Sequence, residues 1–145
     1  MKRNFVKIVI SLVICVTMLT CTMISASAAS KSYSGEYTKS GKNYFDGQVN
    51  GTLYNDTSSS YVYGSTTRES AGSGYSTVYV KVYFEYPDGE YFPSWNTTIS
   101  SNTVTTSMYD PGYIYPPDDV SSLHTIYNSS VSSAPGQMWL GAHTH

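Results

Sequence analysis

The sequence predicts an all-β protein: a single small antiparallel β-sandwich of about seven strands, with a small β-barrel as the alternative. Three observations carry this expectation. Apolar and polar residues alternate with period two over most of the chain beyond residue 43, and no stretch has the repeat of an amphipathic helix. Turn residues break that alternation at sandwich-like intervals. Of the 145 residues, 15 are tyrosine, a side chain suited to the pleated, half-buried surface of a strand.

Residues 1–29 read as a secretory signal peptide. Lys2, Arg3 and Lys7 make its positive start, and an apolar run extends from Ile8 to Ile24. Ser25, Ala26, Ser27, Ala28 and Ala29 then offer the small side chains of a cleavage site. The apolar run reaches the lower length limit for a membrane span, so an uncleaved anchor is the rival reading. Ser11, Thr17, Thr20 and Thr22 dilute the run and favour cleavage and an extracellular destination.

Cleavage would change the composition that matters. Cys15 and Cys21, the only two cysteines, leave with the leader. The exported chain then has no disulfide, cysteine nucleophile or thiolate metal site. Three cations leave too, and the remaining five Lys and Arg face ten Asp and Glu, a net charge of −5. That sign argues against a nucleic-acid partner. Only 17 Leu, Ile, Val and Phe residues remain, but all the tyrosines and both tryptophans do. Each aromatic side chain buries about 150–250 Å², so tyrosine can build the core that aliphatics do not.

Residues 30–43 are polar and rich in Ser, Gly and Lys, and read as an arm or linker. The all-β domain is then expected over residues 44–145. Its first strand, Tyr44–Tyr54, places Phe45, Val49 and Leu53 on one face. Gly47 and Gly51 share that face, a sign of a bulge or a close backbone approach. A second strand runs from Ser60 to Thr67, and Gly72-Ser73-Gly74 marks the loop beyond it. Tyr75–Tyr86 is the clearest strand. Val78, Val80, Val82 and Phe84 point one way; Tyr75, Tyr79, Lys81, Tyr83 and Glu85 point the other.

Pro87-Asp88-Gly89 is a turn. The chain returns through Glu90–Ile99, where Pro93 argues for an edge strand. Thr103–Tyr109 is a further strand, followed by a proline- and tyrosine-rich loop to Asp119. Ser121–Tyr127 and Gln137–His145 complete the set.

Candidate chemistry is sparse. Tyr75, Tyr79 and Tyr83 form a row on the outer face of the clearest strand, which Tyr61 and Tyr63 could extend. With Tyr113 and Tyr115 of the long loop they are the candidate ligand-binding residues, because flat rings among polar neighbours suit stacking on a sugar face. The expected partner is a glycan or cell-wall polymer. The plain alternative is a ladder of tyrosines that stabilises the sheet.

His124, His143 and His145 are the three imidazoles. The His-x-His spacing at the C-terminus suits zinc or copper. Against it, terminal histidines are usually solvated, and the expectation is no cofactor. Asp110, Asp118 and Asp119 lack the spacing of a calcium loop.

No nucleophile elbow, phosphate loop or His-Glu-x-x-His motif occurs, and the carboxylates Glu85 and Glu90 flank a turn tip rather than a cleft. A non-catalytic secreted binding protein is therefore expected. The alternatives are a toxin-like effector, which could meet a membrane as a pore, and a matrix protein assembling through strand edges.

Overall fold

A computed structural model of the chain describes residues 29–53, 59–89, 91–110, 117–128 and 134–141. Eight strands follow one another: β1 (Ala29–Lys39), β2 (Lys42–Leu53), β3 (Tyr61–Arg68), β4 (Thr77–Glu85), β5 (Tyr91–Thr98), β6 (Thr103–Tyr109), β7 (Asp119–Tyr127) and β8 (Gln137–Gly141). They form two four-stranded antiparallel sheets, ordered β1-β2-β3-β6 and β5-β4-β7-β8, packed face to face as the expected sandwich. All seven expected strands are present. Among the described residues no helix is long and apolar enough to cross a membrane.

The eighth strand corrects the sequence reading. The segment expected to be a polar arm is β1, paired with β2 from Ala29↔Leu53 to Lys39↔Lys42. The connection is a two-residue hairpin in which Ser40 and Gly41 both have positive φ, 53° and 72°. That backbone matches the right-handed twist of the flanking strands. β1 is held because Tyr33 and Tyr37 turn inward. The Tyr37 ring stacks on Phe45 at 4.9 Å with a 3° interplanar angle, and its hydroxyl donates to the Pro135 carbonyl. The Tyr33 hydroxyl donates to Asp119, and Lys31 pairs with the same carboxylate at 3.6 Å.

The core lies between the sheets. Phe45, Val49, Leu53, Val62 and Val104 from the first sheet meet Val78, Val80, Val82, Phe84, Val120 and Ile126 from the second. With so few aliphatics, the first sheet leaves gaps for the second. A Cβ on Gly51 would lie 2.4 Å from a Val120 methyl, and one on Gly64 would lie 2.5 Å from a Val82 methyl. The glycines on the inner face of β2 therefore mark close approach of the opposite sheet rather than a bulge. Gly64→Ala is expected to lower stability by about 1–3 kcal/mol, because a β-branched neighbour cannot swing aside. Urea unfolding of the variant against the native protein measures it.

Two edges are tied across the sandwich. At the β5–β6 corner the Asn96 amide donates to the Thr105 carbonyl and the Ser94 hydroxyl to the Ser107 carbonyl. β5 is an edge strand, as Pro93 implies. The turn at Pro87-Asp88-Gly89 closes with the Gly89 amide on the Tyr86 carbonyl, Gly89 taking a φ of 79°.

Candidate functional site

The period-two alternation of β4 sends Val78, Val80, Val82 and Phe84 into the core and turns Tyr79, Lys81, Tyr83 and Glu85 to the outer face of the second sheet. Strand pairing then decides their neighbours. Lys81 stands opposite Trp95 of β5 and Leu123 of β7, and Leu123 stands opposite Trp139 of β8. One row across the sheet thus reads Trp95, Lys81, Leu123, Trp139. It covers three inter-strand spacings, roughly 14 Å. The next rows carry Thr97, Tyr79 and Thr125 on one side, and Pro93, Tyr83 and Ser121 on the other. Tyr91, Glu85 and Asp119 follow.

The rings form a connected surface. Tyr83 meets Trp139 at 5.5 Å between centroids and Tyr91 edge-on at 6.1 Å. Tyr83 and Trp139 come from strands on either side of β7. They converge because Ser121, opposite both Tyr83 and Gly141, is small and fully buried. The Lys81 ammonium lies 5.1 Å from the centre of the Tyr83 ring, a cation–π contact. Trp95 is 65% exposed and Tyr91 41% exposed. Burial raises the hydroxyl pKa of Tyr83, and of Tyr79 against the opposing charge of Lys81. Both phenols therefore stay protonated and able to donate at neutral pH.

One end of this face is acidic. Glu85 has its carboxyl pKa raised, first by burial and then by the nearby Asp119 and Asp118. Its cross-strand neighbours are Asp119 and Tyr91. Glu90 lies outside the described residues.

The structure sorts the sequence candidates. Tyr79 and Tyr83 stand together on the outer face of β4, but Tyr75 does not join them. It precedes the strand, and its ring packs edge-on against Tyr44 at 6.3 Å beside the core. Its amide donates to the Gly72 carbonyl at the end of the short 3-10 turn Ser70–Gly72, and the strand begins two residues later. Tyr61 and Tyr63 do not extend the row either, since β3 belongs to the other sheet. Tyr113 and Tyr115 lie outside the described residues.

His124 is fully buried on the inner face of β7. Its Nδ1 is 2.7 Å from the Thr66 hydroxyl and its Nε2 is 2.6 Å from the Ser122 hydroxyl. The Thr66 hydroxyl donates its hydrogen to the Tyr79 carbonyl, so it accepts from Nδ1–H, leaving Nε2 to accept from Ser122. Both nitrogens of a neutral ring are thus engaged inside the core, which leaves neither turned to a metal. His143 and His145 lie outside the described residues. Among the described residues no three His, Cys, Asp or Glu side chains are grouped to hold a metal ion.

Sequence reasoning missed Trp95, Trp139 and Tyr91. The alternation Tyr91-x-Pro93-x-Trp95 was a signal for two of them. Trp139 needed the pairing of β8 with β7, which no local pattern announces. No family model, no curated protein sequence and no solved structure matches the chain.

Proposed function

We propose that the chain is a secreted, non-catalytic protein that binds a glycan or cell-surface polymer through the outer face of the β5-β4-β7-β8 sheet. One observation carries this reading: Tyr79, Tyr83, Tyr91, Trp95 and Trp139 share one outer sheet face around Lys81. Large aromatic rings left in contact with water on a rigid sheet forgo burial that the small core could have used. Pyranose rings present apolar C–H faces ringed by hydroxyls. The exposed Trp95 indole and the half-buried Trp139 beside Tyr83 can stack on those faces, while Tyr hydroxyls, Thr97 and Lys81 bond to the substituents. The row from Trp95 to Trp139 is long enough for several sugar units of an extended chain.

Native electrophoresis through gels containing hydroxyethylcellulose, mixed-linkage β-glucan or xylan tests the reading, with pull-down on peptidoglycan and chitin. The protein is expected to be retained by at least one of these polymers. Trp95→Ala or Trp139→Ala should weaken that binding by roughly 30-fold, the effect of losing an aromatic anchor. Unaltered thermal unfolding would show that the fold survives. Retention by none of the five polymers, or equal retention of the double Trp variant, rejects this face as the binding site.

A further inference from the structure

A second exposed tyrosine cluster lies on the opposite side of the sandwich. β3 alternates Tyr61, Tyr63, Ser65 and Thr67 outward, and Tyr61 stands opposite Tyr109 of β6. The Tyr61 and Tyr63 rings lie 6.3 Å apart with a tilt of 39°. The three side chains are 43%, 40% and 58% exposed. Tyrosines that stabilise this fold do so differently: Tyr33, Tyr37, Tyr44 and Tyr75 all pack against the core, and Tyr61, Tyr63 and Tyr109 do not.

The rest of that face is short and polar. Register aligns Ser32, Asn50, Tyr63 and Ser107 in one row, then Ser34, Gln48, Ser65 and Thr105 in the next. Beside the tyrosines, Ser34, Glu36, Asp46, Gln48, Ser65 and Thr67 line an open trough of about 540 Å³. The outward positions of Ser30–Glu36, Asp46–Thr52, Tyr61–Thr67 and Thr103–Tyr109 hold no aliphatic and no cationic side chain. Such a face has no aliphatic side chain of the kind that fills the centre of a homodimer interface and no cation of the kind that a phosphate or a polyanion requires. Glu36 and Asp46, in register across β1 and β2, repel carboxylated chains. Rings flanked by neutral hydroxyls and amides complement an uncharged polyhydroxylated chain.

We infer that this face is a second polysaccharide site, so that one domain holds two neutral polysaccharide chains on opposite sides and cross-links them. The inference rests on the first face being a glycan site. The two faces are separated by a core about 10 Å thick and share no residue, so occupation of one leaves the other open.

The experiment pairs binding with bridging in the same three soluble polymers: hydroxyethylcellulose, mixed-linkage β-glucan and xylan. Gel retardation reads binding, light scattering of protein–polymer mixtures reads cross-linking, and sedimentation reads the oligomeric state of the protein alone. The native protein is expected to be monomeric, retarded by at least one polymer, and to raise scattering several-fold. Tyr61→Ser/Tyr63→Ser should keep most of the retardation and lose the scattering rise, whereas Trp95→Ala/Trp139→Ala should lose the scattering rise and reduce the retardation to what the tyrosine face alone supports.

Scattering unchanged by the tyrosine pair overturns the second site and leaves the first standing. Retardation unchanged by the tryptophan pair overturns the first-face reading on which the inference rests. No retardation in any of the three polymers overturns the inference. A native dimer that the tyrosine substitutions convert to monomer also overturns it, making this face a contact between copies of the chain.

Discussion

Phe84→Ala is expected to lower the unfolding free energy by about 3–5 kcal/mol, the cost of an empty site where a buried phenyl ring stood. Small domains hold only about 5–15 kcal/mol in total, so this one substitution removes a large part of the stability. Phe84 is fully buried among a core of valines, Phe45, Leu53, Tyr86 and Ile126. Valine has no unbranched arm that could reach into the space, which leaves little scope for collapse around the cavity. Tyr79→Ala, five residues away on the other face of β4, should cost far less, because the Tyr79 ring is only half-buried on the outer face of the sheet. Equilibrium urea unfolding of the two variants measures the difference. A larger loss for Tyr79→Ala than for Phe84→Ala would mean that the inner and outer faces of β4 have been assigned the wrong way round.

That assignment was plain in the sequence, because Val78, Val80, Val82 and Phe84 alternate without interruption against Tyr79, Lys81 and Tyr83. The other strands were legible where β-branched or aromatic residues recur at every second position, as in β3 and β6. β1 was not, for a physical reason. Its inward residues are Lys31, Tyr33, Gly35 and Tyr37, so its apolar signal amounts to two rings separated by a glycine. Its partners are supplied by other parts of the chain: Phe45 for Tyr37, and Asp119 for Tyr33 and Lys31. The Ser40-Gly41 hairpin is a weaker announcement than Asn-Gly or Asp-Gly.

The candidate site was half legible for a related reason. Which side of a strand faces outward follows from period two, so Tyr79 and Tyr83 could be placed on a surface. Which strands lie side by side follows from pairing across long separations, and single-strand patterns do not encode it. Placing Tyr61 and Tyr63 beside β4 therefore failed, since consecutive strands β3 and β4 belong to different sheets. Trp139 joined the face through β8, the last described strand, and His124 went inward because the parity of β7 puts it beside Val120 and Ile126. A histidine within a strand reads the same from sequence whether it points to solvent or to the core.

His124 makes the fold sensitive to acid. Burial lowers its pKa from 6.5 to about 4, and its two hydrogen bonds accommodate the neutral ring: Nδ1–H to Thr66 and Ser122 to Nε2. Among the described residues no charged side chain acts on it to offset a proton; Gly47 lies against the ring, and Met138 is its cross-strand neighbour. A folded pKa below the unfolded one means that the unfolded chain takes up a proton first as pH falls. Stability contributed by the neutral ring is therefore fully present above about pH 6.5 and is lost progressively toward pH 4, below which the loss is complete.

The size of that loss is about 3 kcal/mol for a displacement of this order. Glu85 acts in the opposite sense: its raised pKa means that protonation relieves the folded state as pH falls, so the wild-type profile is the difference of two trends. His124→Gln separates them, because glutamine keeps a donor and an acceptor but does not titrate. The variant should be less stable than the native protein at pH 7. Between pH 7 and pH 4.5, however, the native protein should lose about 2–3 kcal/mol more than the variant. Urea unfolding at the two pH values reads both slopes, and parallel slopes would remove His124 as the source of acid sensitivity.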